Sequence, residues 1–267
     1  MKSYLTYFIL KFKMGLQYRA AAIAGILTQV FFGLVYTSVY IAFYESNTNN
    51  GPMELGKLVS FVWLNQAFFS LIYLWHRDKE IINMIKKGDI AYELCRPQDL
   101  YFMWASKMLG ERIAKVSLRF IPVLLLSSLL PFPYTLDLRI SIPVFIMFLI
   151  TLILASLLVI TIVVFYHTVI IYTLDEKGIV NMFMILADVL SGLVIPIPFF
   201  PGYLQKIAYI LPFRYVSDFP FRLYVGDISI TEGFIGIGMQ IIWIIILFVI
   251  GKLIMKKALS KAVIQGG

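Results

Sequence analysis

The 267-residue sequence has few charged residues and a single cysteine. Only 14% of its residues are charged, whereas 60% are hydrophobic, and the mean hydropathy is +0.87. Soluble domains contain about 25% charged residues, and a soluble fold of this size could not cover so much apolar surface. The composition therefore excludes an ordinary soluble domain and indicates an integral membrane protein. Cys95 has no second cysteine to pair with, so an internal disulfide framework is also excluded.

Motifs that bind nucleotides or carry out catalysis are missing as well. The sequence contains no G-x-x-x-x-G-K-[ST], so we do not expect the chain to hold a nucleoside triphosphate by itself. It contains neither H-E-x-x-H nor G-x-S-x-G, and two histidines with Cys95 form too small a set for a metal site. We therefore expect no catalytic residue, no bound metal and no cofactor on this chain. An intramembrane enzyme would need a catalytic constellation that the sequence does not show.

Long apolar stretches predict an all-α protein with six transmembrane helices of roughly 17–25 residues each. In order, the predicted spans are 20–44, 58–75, a stretch centred on 116–130, a helix within 140–172, 178 to about 196, and 233–251. No soluble domain is expected, so residues 1–267 form one transmembrane domain. We expect the first span to be retained and not cleaved as a signal peptide.

Lysine and arginine residues are distributed unequally between the two sides that these spans define. Of the 23, 18 lie on the side of the two termini and 5 lie on the other. The positive-inside rule then places both termini in the cytoplasm, and a bacterial plasma membrane is the simplest location. The net charge of +8 fits anionic lipid on the cytoplasmic side, so no nucleic-acid partner is expected.

Two segments outside the predicted spans have distinctive patterns. Residues 2–18 have apolar side chains at helical spacing on one face, with lysines beside them, which predicts an amphipathic helix at the membrane surface. A cytoplasmic extension of the first span is the alternative. Residues 197–230 contain prolines, aromatic residues and charges, which predicts re-entrant or interfacial helices on the outer side.

The cytoplasmic segment 77–112, between the second and third spans, predicts two short helices. Gly88 can adopt the left-handed conformation that ends the first helix. The carboxylate of Asp89 can then cap the second helix by accepting from its free backbone N–H groups. Pro97 ends that second helix, and a third helix from about Gln98 is expected to run into the third span.

One acidic residue, Asp188, lies well inside a predicted span. An ionised carboxylate there is costly unless it faces a polar cavity, contacts a neighbouring helix or is protonated. One interpretation is that Asp188 belongs to a transport pathway or couples neighbouring helices. The other is a structural hydrogen bond to an amide side chain of another helix, such as Gln29, Asn65, Gln66 or Gln240.

These features together resemble a known family. The amphipathic N-terminal helix, six spans with both ends inside, the helical cytoplasmic loop and the proline-broken outer segment are similar to permease subunits of type 2 ABC exporters, the drug- and polysaccharide-export class. The segment 85–97, with its glycine, acidic residue and late Arg-Pro, is similar to a loop of those permeases. The architectural likeness covers the whole chain, and the residue-level likeness covers this one loop.

The resemblance implies a mechanism and a set of partners. Two permeases, the same chain or a homologous one, pair in the membrane above two ATP-binding cassette ATPases that bind ATP and Mg²⁺. The loop docks in a groove of the ATPase as a coupling helix, and ATP-driven closure moves the substrate outward. The implied docking residues are Gly88, Asp89, Tyr92, Glu93 and Arg96. A solvated turn is the alternative for this loop.

The substrate and one alternative function stay open. A hydrophobic molecule, a peptide, a drug or a lipid-linked molecule would suit an apolar path, but the same side chains also suit contact with lipid. The alternative function is a stand-alone secondary transporter or channel. It would work without ATPases and would need Asp188 as its ion or proton site.

Overall fold

The structure, a computed structural model, describes residues 2–46, 51–75, 77–95, 97–138, 140–173 and 178–261. Helix accounts for 82% and none of the described residues forms a strand, so the predicted all-α class is confirmed. The α-helices are α1 (Lys2–Leu16), α2 (Arg19–Ser46), α3 (Leu55–Ile72), α4 (Lys79–Lys87), α5 (Ile90–Leu94), α6 (Leu100–Ser128), α7 (Ile142–Thr173), α8 (Gly178–Leu190), α9 (Gly202–Ile210), α10 (Asp218–Tyr224) and α11 (Ile230–Lys261). Two 3₁₀ turns, Ile197–Phe199 and Pro212–Val216, lie before and after α9.

Four of the described helices, α2, α3, α7 and α11, are long and apolar enough to cross a membrane. They correspond to the first, second, fourth and sixth predicted spans, although α3 ends at Ile72 and not at residue 75 as predicted. The chain is a multi-pass membrane protein. The third predicted span lies in the second half of α6, whose first half carries charged side chains. The fifth is shorter than predicted, because α8 ends at Leu190 after 13 residues and the chain then turns through Gly192. The six-span topology and the orientation stay predictions.

Helix α7 lies at the centre of the bundle, and most of its side chains between Met147 and Ile170 are buried. It packs against α11, α6, α3 and α10. The Gln240 amide on α11 donates to the Thr151 carbonyl of α7 at 3.0 Å and to the Tyr215 carbonyl at 2.9 Å. Since a buried donor without an acceptor is costly, these two bonds favour one arrangement of α11, α7 and the outer segment.

The outer segment, residues 197–230, folds as short helices and 3₁₀ turns and not as a span. Four of its five charged residues pair with one another. The buried carboxylate of Asp218 accepts from Arg214 at 3.4 Å and from Arg222 at 3.3 Å, and Arg222 also donates to Asp227 at 2.6 Å. This pairing explains how a segment with several charges packs against the apolar bundle. Its depth in the membrane stays a prediction.

Helix α1 is separate from α2 and packs along α6. The chain leaves helical geometry between Leu16 and Arg19, so α1 is not a continuous extension of α2. The predicted apolar face is divided between two environments. Leu5 is 61% exposed, whereas Phe8 and Phe12 are half-buried. Exposed apolar residues on a helix with lysines beside them are what the predicted membrane-surface position requires.

Candidate functional site

Helix α4 has one buried face and one exposed face. Ile81, Ile82 and Ile85 are at most 5% exposed, and the helix packs against α7. Lys86 and Lys87 are exposed at its other side. Burial of three isoleucines fixes this nine-residue helix to the bundle, because a helix this short is marginal on its own.

Both ends of α4 have capping features, only one of which the sequence analysis identified. Gly88 has a φ of 77°, so it adopts the predicted left-handed conformation, and its N–H donates to the Ile85 carbonyl at 3.3 Å. At the start of α4, the Asp78 carboxylate accepts from the Glu80 and Ile81 N–H groups at 3.0 and 3.1 Å. Asp78 is therefore the N-cap, because its carboxylate satisfies two of the free donors of the first turn.

The prediction that Asp89 caps α5 is wrong. Asp89 has φ −61° and ψ −12°, which is helical geometry, and its side chain makes no capping hydrogen bond. A capping side chain reaches the N–H groups of the first turn from an extended backbone, as Asp78 does with φ −79° and ψ 99°. The backbone instead continues in helical geometry after Gly88, and the Tyr92 N–H donates to the Asp89 carbonyl at 3.0 Å.

The predicted docking residues lie close together on the turn at Gly88 and on α5. Tyr92 is 74% exposed, whereas Asp89 and Glu93 are half-buried. Ile90, at 6% exposed, holds α5 against the bundle on the opposite side. Arg96, the fifth predicted docking residue, lies outside the described residues. The arrangement is a small protruding surface with one large exposed aromatic side chain.

An ion cluster that is buried at Asp78 and Lys107 lies at the other end of α4. The Lys107 ammonium on α6 lies 2.8 Å from an Asp78 oxygen and 2.6 Å from a Glu80 oxygen. Lys11 of α1 reaches the same Glu80 carboxylate at 3.3 Å. Burial by itself raises the pKa of Asp78, but the hydrogen bond and the charge of Lys107 outweigh it, so this pKa lies below its ordinary value. Both carboxylates are therefore ionised at neutral pH, since the hydrogen bond from Lys107 also lowers the pKa of Glu80.

His167 connects the same loop to α7. The Asp78 backbone N–H donates to His167 Nε2 at 3.3 Å, and His167 Nδ1 lies 2.8 Å from the Val163 carbonyl. Because Nε2 accepts, the proton is on Nδ1, which donates to that carbonyl. The imidazole is fully buried, so it links α4 to α7 directly.

Asp78 and Lys107 were not among the predicted functional residues. The signal for Asp78 was present, because an aspartate directly before the amphipathic run of α4 is a typical N-cap. Lys107 and His167 had no such signal. They lie 29 and 89 residues further along the chain from Asp78, and only the packing of α6 and α7 brings them to it.

Asp188 lies near the end of α8 and is half-buried. Within the described residues, no hydrogen bond to its carboxylate is present. Two of the amide side chains proposed as structural partners bond elsewhere: Asn65 is paired with Ser217 at 2.5 Å, and Gln240 donates to two backbone carbonyls. The carboxylate is next to exposed apolar side chains, of which Val189 is 47% exposed.

Comparison with protein families shows the family to which the chain belongs. The family model described as "ABC-2 family transporter protein" matches residues 53–266, which is most of the chain. The chain belongs to the ABC-2 family. No curated protein matches the sequence significantly. Members of the ABC-2 family are the membrane components of transporters and work with ATP-binding cassette subunits. The matched range begins before α3 and includes α4, α5 and the buried ion cluster.

Proposed function

We propose that this ABC-2 protein is the permease subunit of an ATP-driven exporter. It moves a hydrophobic, peptide, drug or lipid-linked substrate outward when two partner ATPases bind and hydrolyse ATP with Mg²⁺. A second permease, the same chain or a homologous one, completes the pathway. We place the complex in a bacterial plasma membrane with both termini in the cytoplasm, as the distribution of lysine and arginine favours.

The observation that carries this proposal is the protruding surface formed by the Gly88 turn and α5. A partner that binds a short helix needs an exposed aromatic side chain to contact, and the helix itself must be fixed to the rest of the protein. Tyr92 is such an anchor, because aromatic residues dominate the binding energy of many protein interfaces. The buried isoleucines of α4 supply the support on the opposite side. The docking residues of the proposal are Gly88, Asp89, Tyr92, Glu93 and Arg96.

The ion cluster offers a route by which a movement of the docking surface reaches the membrane. Asp78 binds the Lys107 side chain of α6 and the His167 side chain of α7, and it also caps α4. A displacement of α4 by the ATPase must therefore move α6 and α7 or break a buried ion pair. Since breaking such a pair costs several kcal/mol, moving the helices is the cheaper response.

The surroundings of Asp188 support a second permease and a place in the transport pathway. Its half-buried carboxylate has no hydrogen bond from the part of the chain that the structure describes, and a carboxylate beside exposed apolar side chains on α8 is poorly placed against lipid. A second permease or a hydrated pathway against α8 would supply the polar surroundings that it lacks. The alternative, a secondary transporter that uses Asp188 as its ion site, needs no ATPase.

The first experiment is purification of the tagged chain from its native membranes in a gentle detergent. The co-purifying proteins are identified by mass, and ATP hydrolysis is measured in the eluate. We expect an ATPase at equal stoichiometry and hydrolysis that the chain alone lacks. A lone chain without an ATPase, with transport that requires Asp188, would replace this proposal with the secondary transporter.

A double substitution tests the docking surface itself. Tyr92→Ala with Glu93→Ala should abolish ATPase co-purification and leave membrane insertion intact, because the exposed anchor is lost and the buried isoleucines remain. Tyr203→Ala on α9 is the matched control, since this tyrosine is 71% exposed on the outer segment. Normal co-purification and transport by the double variant would remove the docking assignment.

A further inference from the structure

A cavity of about 300 Å³ lies between α1, the start of α2 and the middle of α6, apart from the docking surface. Its basic lining residues are Lys11 from α1, and Lys115 and Arg119 from α6. The acidic side chain of Glu111 also lines it, so cations outnumber carboxylates three to one. The rest of the wall is apolar or aromatic and includes Met14, Tyr18 and Leu118.

Arg119 extends across the cavity from α6 to α2. Its guanidinium donates to the Ser70 hydroxyl at 3.2 Å and to the Ala21 carbonyl at 3.0 Å. Both acceptors are neutral, and its buried Nε–H has no acceptor among the described residues. A Cβ at Gly25 would lie 2.3 Å from the guanidinium carbon, so this crossing requires glycine on α2. The site is therefore held in place and carries a positive charge that its hydrogen bonds do not neutralise.

The cavity lies where α6 changes from charged to apolar. Arg119 is the last charged residue of α6, and the helix continues to Ser128 with apolar and hydroxyl side chains. From Leu118 at the cavity, exposed apolar residues continue along the same face at Ile121 and Leu125, which are 51% and 57% exposed. A positively charged pocket at such a boundary, followed by a row of exposed apolar side chains, matches the charged headgroup and the apolar acyl chains of a membrane lipid.

We propose that this cavity binds the phosphate of an anionic phospholipid from the membrane leaflet on the side of α4 and α5. Lys115 and Arg119 attract the phosphate, and Lys11, whose charge is shared with Glu80, adds to the positive potential of the cavity. The acyl chains lie along the exposed face of α6. Because Lys11 also binds Glu80 at 3.3 Å, lipid in this cavity would lie beside a residue that is ion-paired to α4.

The test measures lipid bound to the purified full-length chain by native mass spectrometry. The probes are dioctanoyl phosphatidylglycerol, dioctanoyl phosphatidylcholine and inorganic phosphate, each at the same concentrations. We expect saturable binding of phosphatidylglycerol and at least fivefold weaker binding of phosphatidylcholine. Inorganic phosphate should not displace the bound lipid, because it cannot use the row of exposed apolar side chains. Equal binding of the two lipids would overturn the proposal, and so would displacement by phosphate, which would indicate a site for free anions.

Two substitutions that should change the affinity for phosphatidylglycerol in opposite directions distinguish an effect on the site from misfolding. Lys115→Gln removes one cation and should weaken phosphatidylglycerol binding about fivefold, the scale of one basic residue at an anionic membrane surface. Glu111→Gln removes the only carboxylate and should tighten binding by about the same factor. Lys256→Gln, an exposed lysine on α11, makes the same charge change outside the cavity and should have no effect. Changes of the same sign for Lys115→Gln and Glu111→Gln would reject the site.

Discussion

The Lys107 ammonium and the Asp78 carboxylate lie 2.8 Å apart, and both side chains are about 95% buried or more. The pair joins α6 to the residue that caps α4. A buried ion pair adds little net stability, because desolvation offsets the attraction. Its removal from one side only, however, leaves an uncompensated buried charge. The pair therefore fixes the position of α4, the helix that precedes the proposed docking surface.

Removal of the Lys107 ammonium should strongly destabilise the protein. Lys107→Met leaves Asp78 buried without a counter-charge, and we expect a loss of about 3–5 kcal/mol. Thermal unfolding of the purified chain in detergent measures it. Asp78→Asn in the same chain should recover part of the loss, since asparagine also caps helices well.

The matched control for that substitution is Lys57→Met. Lys57 lies 4.0 Å from Glu54 in an exposed ion pair and donates to the Gly226 carbonyl at 3.2 Å, so its removal should cost about 1 kcal/mol, well below the loss at Lys107. Equal unfolding temperatures for Lys107→Met and Lys57→Met would contradict the role of the buried pair.

The ion cluster should also determine how stability depends on pH. The folded pKa of Asp78 is lowered, so its contribution is present above the ordinary aspartate value of about 3.9 and is lost as the pH falls through the folded pKa. Burial lowers the pKa of Lys107, but the hydrogen bonds and charges of Asp78 and Glu80 outweigh it and raise it overall. The contribution of Lys107 is therefore present below about pH 10.4 and is lost as the pH rises further.

Unfolding temperatures measured from pH 3 to pH 11 test this window. The difference between the wild type and Lys107→Met should be largest near neutral pH and should shrink toward both ends of this range. On the acid side it should begin to shrink above the ordinary aspartate value, because burial without the Lys107 charge raises the pKa of Asp78 in the variant. Equal differences at pH 3 and pH 7 would point to a group other than this cluster.

Local geometry can be predicted from the sequence where a single residue type determines it. Gly88 could be predicted because a left-handed helix end favours glycine, and the long spans because they are continuous apolar runs. The role of Asp89 could not be predicted, because its suitability as a cap depends on a backbone conformation that the preceding turn sets. The contact of Asp78 with Lys107 and His167 has no sequence pattern, because only tertiary packing brings these residues together.

Cys95 provides a probe of the docking surface. It directly follows α5, is exposed and is the only cysteine in the sequence. A bulky maleimide should therefore label the isolated permease at one site and block ATPase association. Prior association with the ATPase should slow labelling at least tenfold. Cys95→Ser should give no label and retain association after the same treatment. Labelling at an unchanged rate in the complex would place the ATPase elsewhere.

One substitution, glycine to alanine, should have opposite effects at Gly88 and Gly56. A Cβ would meet no atom within 4 Å at either position, so steric crowding by neighbours does not distinguish them. Gly88 has a φ of 77°, and a left-handed backbone costs an L-residue about 1–2 kcal/mol, so Gly88→Ala should destabilise by that amount. Gly56 lies in the first turn of α3, where alanine is favoured by up to about 1 kcal/mol, so Gly56→Ala should be neutral or stabilising. Unfolding temperatures and ATPase co-purification should fall together for Gly88→Ala and be retained for Gly56→Ala.

A second substitution at the same position tests whether the backbone conformation is the cause. Gly88→Asn should lose less stability than Gly88→Ala, because asparagine adopts the left-handed region more readily. Equal losses for alanine and asparagine would show that the turn does not depend on this backbone conformation.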